Sequence, residues 1–270
     1  MPKLKVGLAL GGGGAKGFAH LGVIKALHNH QDIEIVQIAG TSMGSLIACG
    51  YASKGTYELL EQSILQKQYL SFIKSFFGLI KFDYKKLHTF CDEFVEMAHF
   101  SDLVIPTKVI ATDLKQMKSV VLDSGNVAIA VTASSLTPYI HKPYKYKDFD
   151  LVDGGITNLL PIEHADSKDV DVILGVDVSS SDSYHVSDIT FHKKRHLIDL
   201  NKITCLFKYS NLVAQNEIVE LKKQYIKKPV FILKPSLEDI SNIQFSKAKE
   251  AIHAGEEITK LKIDEIASMK

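Results

Sequence analysis

The chain has 270 residues, 46% hydrophobic and 23% charged, an ordinary globular composition that excludes disordered, collagen-like and small disulfide-scaffold classes. Its 32 basic and 31 acidic residues leave a net charge of +1, and Arg195 is the sole arginine. Nucleic-acid binding, which exploits basic surfaces and the bidentate arginine fork, is therefore not expected.

The first apolar run, residues 6–10, is too short for a signal-peptide core, and no stretch approaches the length of a membrane span. A cytoplasmic protein is expected. Cys49, Cys91 and Cys205 are too few and too dispersed for a zinc knuckle or a CxxC site, and fit free thiols in a reducing compartment. Residues 6–10 read as a buried strand running straight into Gly11-Gly12-Gly13-Gly14-Ala15-Lys16-Gly17. Helical spacing follows over 18–29, then a second strand over 34–39 that ends at Gly40-Thr41-Ser42-Met43-Gly44. A helix is expected from there through Ala52, with Gly55 as its stop. Further helices are predicted over 56–70 and 83–97, strands over 107–112 and 119–123, and a short helix over 126–134 that stops before Pro138. Leu151-Val152 leads into Asp153-Gly154-Gly155. Strands at 170–178 and 230–233 and long helices at 198–225 and 246–267 complete the pattern, with 179–192 as a candidate mobile loop. Such alternation predicts an α/β fold, a mostly parallel sheet sandwiched by helices, in a single domain over residues 1–270.

The glycine loop admits three readings. Gly12-x-Gly14-x-x-Gly17 satisfies the dinucleotide fingerprint, but the acid wanted at the end of the second strand is missing, since that strand ends in Gly40-Thr41-Ser42. A phosphate loop fails because Phe18 stands where its lysine belongs. The third reading is an oxyanion hole, in which glycines bring backbone N–H groups close to a ligand ahead of a helix N-terminus. A plain strand-to-helix turn does not need four consecutive glycines.

Gly40-x-Ser42-x-Gly44 has the form of a nucleophile elbow, with the strand before and helix after that the motif requires. The bland alternative makes Ser42 or Thr41 a helix N-cap, a role compatible with catalysis. A serine hydroxyl needs a base. His164, His185, His192, His196 and His253 lie downstream, but none sits in a clear strand-end loop, and His20 reads as packed or capping. Asp153 is the better base, because it ends an apolar run and Gly154-Gly155 behind it permit a sharp turn at a sheet edge. Its low basicity makes oxyanion stabilisation more important, with roughly 2.7–4 kcal/mol lost per donor removed in mutational precedents.

Together these residues resemble the patatin-like phospholipases. Gly12-Gly13-Gly14-Ala15-Lys16-Gly17 is similar to that family's oxyanion loop and Gly40-Thr41-Ser42-Met43-Gly44 to its elbow. Ala133-Ser134-Ser135-Leu136-Thr137-Pro138 resembles the block between elbow and base, and Asp153-Gly154-Gly155 with the residues to Pro161 resembles the aspartate segment. The likeness covers residues 5–180 well; the helical part at 195–270 fits loosely. It implies a three-layer α/β/α fold and a lipid acyl hydrolase with Ser42 as nucleophile, Asp153 as base and an oxyanion hole at Gly12, Gly13 and Gly14. Lys16, Gly17, Gly40, Gly44, Gly154 and Gly155 would support the site; no metal or nucleotide cofactor is implied. Lys16 stands where many members carry arginine. The alternatives are a Ser–His–Asp carboxylesterase and a non-catalytic Rossmann-like dinucleotide- or lipid-binding module.

Residues 71–82 place Phe72, Ile73, Phe76, Phe77 and Ile80 on one helical face bordered by Lys74 and Lys81. That face either packs into the core or meets lipid, roofing an acyl pocket or touching a membrane peripherally through Phe72, Phe76 and Phe77. Mixed charges along 247–265 read as a solvated helix face.

Overall fold

The computed structural model describes residues 2–66, 84–96, 99–138, 141–179 and 200–269. Large and small residues alternate in Val6-Gly7-Leu8-Ala9-Leu10, and that alternation decides how the first strand, β1 (Leu4–Leu10), is buried. Successive side chains on a strand point to opposite faces. Val6, Leu8 and Leu10 enter the larger core, while Ala9 enters a smaller one with Ala39, Leu160, Ile162 and Ile173. On that smaller face a Cβ at Gly7 would lie 2.1 Å from the Ala165 carbonyl oxygen, so a backbone segment rests directly on the sheet.

β1 pairs in parallel with β2 (Ile33–Thr41) on one side and with β7 (Val172–Val176) on the other, and β8 (Val230–Leu233) continues the parallel set beyond β7. On the far side of β2 lies β3 (Thr107–Asp113), also parallel. Three antiparallel strands complete the sheet: β4 (Lys118–Leu122) and β6 (Phe149–Asp153) on β3, and β5 (Tyr144–Tyr146) on β6. The sheet is thus mixed but mostly parallel and flanked by helices, the expected α/β class. The hairpin of β5 and β6 is a finding, since only Leu151-Val152 stood out in the sequence as strand-like.

Pairing along β3 brings two distant strand ends together. β4 occupies β3 from Val109 to Asp113, so β2 and β6 must share the opposite edge. There β2 finishes with Thr41 opposite Ile110, and β6, running the other way, finishes with Asp153 opposite Ala111. Whatever follows Thr41 is placed beside Asp153.

Helices α1 (Ala19–His28), α2 (Met43–Lys54), α4 (Tyr84–Val95) and α5 (Val127–Ser135) contribute to the larger core, as does α7 (Ala248–Ala267). Between α2 and α4, α3 (Tyr57–Leu65) starts under a Thr56 cap, and α6 (Leu200–Tyr225) covers the smaller core with Val219. Gly55 ends α2 in the left-handed region at φ 70°, as its position after the periodic run predicts. The helix expected over 56–70 ends at Leu65, because Gln66 turns to extended backbone at φ −65°, ψ 133°, and residues 67–70 lie outside the described residues. The stretch 71–82, with Phe72, Phe76 and Phe77, lies outside the described residues, as do residues 180–199 of the loop region. Among the described residues no helix is long and apolar enough to cross a membrane. Cys49 and Cys91 are buried free thiols.

Candidate active site

Ser42 occupies the turn between β2 and α2 at φ 54°, ψ −124°, a positive-φ conformation rare for a residue with a side chain. The turn is tight because its neighbours are small. A Cβ at Gly44 would lie 2.2 Å from the Leu10 carbonyl oxygen, and one at Gly40 would lie 2.5 Å from the Gly44 carbonyl oxygen. The Ser42 carbonyl starts α2, accepting from Ser45 N at 2.9 Å and from Ser45 Oγ at 2.6 Å. Its hydroxyl caps nothing. Instead Ser42 Oγ donates to Asp153 Oδ2 at 2.7 Å. Thr41, the other candidate cap, turns its hydroxyl to the Asn158 carbonyl at 2.9 Å.

Asp153 is steadied by a second bond, from Gly155 N to its Oδ1 at 2.8 Å. Burial pushes the carboxyl up from the ordinary 3.8 to about 6, against the downward pull of the bonds from Gly155 and Ser42. The group is therefore ionised at neutral pH yet a stronger base than an exposed aspartate.

The glycine loop approaches from β1. Gly12 is not an available donor, because its N–H is taken by the Leu159 carbonyl at 3.0 Å. Ala15 N is likewise taken, by the Asn242 carbonyl at 2.8 Å. Among the described residues the N–H groups of Gly13 and Gly14 have no partner, so the three expected donors narrow to two. Gly14 sits at φ 55°, and a Cβ there would come within 2.3 Å of the Asn242 carbonyl oxygen. Lys16 is buried in the short helical turn Gly14–Phe18, with Gly17 behind it.

His20 is buried, and its Nε2–H donates to the Gly11 carbonyl at 2.7 Å. Burial pushes its imidazole down to about 4, so it is neutral and structural at pH 7. His164 is bound up with Glu163 at 3.4 Å, and His253 is exposed on α7. His185, His192 and His196 lie outside the described residues. Among the described residues no histidine lines the Ser42 cavity.

That cavity measures about 310 Å³ and is lined by Ser42, Asp153 and the glycine loop, with Pro138, Ile156, Leu159, Leu212 and Ile243 as apolar wall. Helix α6 supplies Leu212 and also grips the segment after Asp153. Asn211 Nδ2 donates to the Gly155 carbonyl at 3.1 Å; Gln215 Nε2 donates to the Ile156 carbonyl at 2.8 Å, while Gln215 Oε1 accepts from Leu159 N at 2.8 Å. Lys222 Nζ reaches Asn158 Oδ1 at 2.7 Å and Glu163 Oε1 at 2.8 Å. Sequence reasoning missed all three. Their spacing, i, i+4 and i+11, puts them on one narrow face of a helix, which was the available signal. No group of three or more potential metal-ligating His, Cys, Asp or Glu side chains occurs among the described residues.

The family model described as Patatin-like phospholipase matches residues 8–166, and the chain belongs to that family. It is 32% identical over 184 residues to an uncharacterized NTE family protein of Mycobacterium bovis, covering 66% of this chain and 50% of that protein. Against lysophospholipase NTE1 of Saccharomyces cerevisiae the identity is 26% over 274 residues, 93% of this chain and 16% of the yeast protein. Patatin-like phospholipase domain-containing protein 6 of Mus musculus is 27% identical over 279 residues, 93% of this chain and 20% of the mouse protein. The chain thus spans half or less of the length of these curated relatives. The crystal structure of VipD from Legionella pneumophila superposes with a TM-score of 0.51 at 12% identity, over 98% of this chain and 67% of that one, a likeness of fold.

Proposed function

We propose that the chain is a serine lipid acyl hydrolase of phospholipase A or esterase type, working through a Ser42–Asp153 dyad. The observation that carries this reading is the 2.7 Å bond from Ser42 Oγ to Asp153 Oδ2, beside the N–H groups of Gly13 and Gly14, which have no hydrogen-bond partner among the described residues. An ester carbonyl seated in the cavity is attacked by Ser42 Oγ as its proton passes to Asp153. The carbonyl oxygen becomes an oxyanion held by Gly13 and Gly14, whose donors are aimed before the charge develops. Collapse breaks the ester bond, and the proton on Asp153 goes to the departing alkoxide, leaving the acyl group on Ser42. Water then attacks the acyl-enzyme, giving its proton to Asp153; the fatty acid leaves and Ser42 is reprotonated. Backbone hydrogen bonding to the outer oxygen of Asp153 and burial of its carboxyl fit a base that works without histidine.

Family membership and the lysophospholipase name of the yeast relative support a lipid or phospholipid ester as substrate. The same reading takes the 270 residues as one hydrolase domain acting in the cytoplasm, with peripheral membrane contact through Phe72, Phe76 and Phe77. The test is fluorophosphonate labelling and turnover of a short-chain ester by wild type, Ser42→Ala and Asp153→Asn. Labelling should require Ser42 and turnover should require both residues. Activity that survives in Asp153→Asn overturns the dyad and moves the base to a histidine.

A further inference from the structure

Two hydrogen bonds reach Ser42 and Asp153 from one short stretch at the end of α5. Ser134 Oγ accepts from Ser42 N at 2.8 Å and passes its own hydrogen to the Ile110 carbonyl at 2.6 Å. Two residues later, the Leu136 carbonyl accepts from Asp153 N at 3.0 Å. The direction of each bond is set by chemistry, since an amide N–H only donates and a carbonyl only accepts. Ser134 therefore has one hydrogen and one accepting lone pair in use, and it is fully buried.

The bonds matter because of what they hold. The Ser42 N–H lies at the start of α2, where an amide has no helical partner, in a residue forced to positive φ. Without Ser134 that buried amide has no bond to keep the turn in its strained conformation. The Ile110 carbonyl is a fixed anchor: it belongs to β3, Ile110 pairs with Thr41, and a Cβ at Gly154 would lie 2.3 Å from its oxygen. One carbonyl thus abuts the residue after Asp153 and, through Ser134, holds the backbone of Ser42.

Resting on the dyad reading above, we infer that Ser134 is a positioning residue that sets the Ser42–Asp153 separation, with the Leu136 carbonyl as its counterpart on the aspartate side. Ser134 does not touch substrate. It fixes the backbone from which Ser42 Oγ is aimed.

Ser135 provides the control. It is also buried in the last turn of α5, but its hydroxyl donates to the Val131 carbonyl at 2.8 Å within the helix and makes no hydrogen bond to Ser42 or Asp153. The experiment measures kcat and KM for p-nitrophenyl butyrate with wild type, Ser42→Ala, Ser134→Ala, Ser134→Thr and Ser135→Ala, together with thermal melts. Misaiming a nucleophile by a fraction of an ångström to an ångström lowers turnover about 10- to 100-fold. Ser134→Ala should lose kcat on that scale with KM within about twofold, Ser134→Thr should recover most of it, and Ser135→Ala should keep wild-type kcat. If Ser134→Ala does not fold, Ser134→Cys, of similar size but a poorer acceptor, carries the same expectation. Wild-type kcat in the Ser134 variant, or an equal loss in Ser135→Ala, overturns the inference. Undiminished turnover by Ser42→Ala would instead overturn the dyad on which it rests.

Discussion

Gly255 of α7 lies so close to Ala19 of α1 that a Cβ at Gly255 would sit 1.9 Å from the Ala19 carbonyl oxygen. The fit is reciprocal, because a Cβ at Gly22 would sit 1.8 Å from the Ile252 carbonyl oxygen. The last described helix is therefore seated on the helix that follows the glycine loop, with no side chain between the two backbones. Replacing Gly255 by alanine forces them apart and should cost about 1–3 kcal/mol, the usual range for overpacking. A fall in the urea midpoint at unchanged slope checks it.

Ionisation of Asp153 should appear in the rate. On the dyad reading proposed above Asp153 is the base and must be unprotonated, so kcat/KM should be flat above about pH 6 and fall roughly tenfold per pH unit below it. The profile should be taken with a substrate that does not ionise in this range. A descending limb on the alkaline side near 7 would point to a different titrating group.

The same carboxyl should weaken the fold at neutral pH. Because burial raises its value in the native state, the stability it contributes is fully present below the ordinary aspartate range and is lost as pH rises through about 6. Asp153→Asn removes that loss. The variant should be more stable than wild type at pH 7.5, by up to about 3 kcal/mol, and close to it at pH 4. Thermal melts at the two pH values, beside an ester-turnover assay of the same variant, separate stability from turnover.

Gln215 serves two backbone groups at once, the Leu159 N–H and the Ile156 carbonyl, and is itself only 3% exposed. Gln215→Met keeps the bulk and leaves both groups unpaired. A loss of about 1–3 kcal/mol is expected, since stranded buried polar groups carry their full desolvation penalty. The segment they hold runs from Gly155 to Leu159 along the cavity, so kcat on a short ester should fall as well. Denaturant unfolding and steady-state kinetics on one preparation check both.

Where the sequence was legible, the reason was local. Large–small alternation marked β1, and the glycines about Ser42 marked a turn that only small residues permit. An apolar run closed by two glycines marked Asp153. The parts that escaped depend on partners far along the chain. β5 is three residues, Tyr144–Tyr146, at a sheet edge with a lysine in the middle, too short to show a period. Its turn uses Lys147 at φ 52°, where glycine or asparagine would have signalled it. That Gly12 gives its N–H to Leu159 cannot be seen in the glycine loop itself. Asn211, Gln215 and Lys222 look like any solvated stripe until the segment they grip is brought against them.

On β3 the strands bearing Thr41 and Asp153 arrive from opposite directions and stop at adjacent rungs. The gap between hydroxyl and carboxylate is therefore a dimension of the ladder, and ladders shift only in whole steps. Moving β6 by one residue would carry Asp153 about 3.4 Å along the edge and turn its side chain to the opposite face. On the hydrolase reading proposed above, sequence drift in the cavity wall adjusts by small degrees which esters fit. Drift in β6 has no such gradation: it leaves the Ser42–Asp153 pair whole or takes it apart.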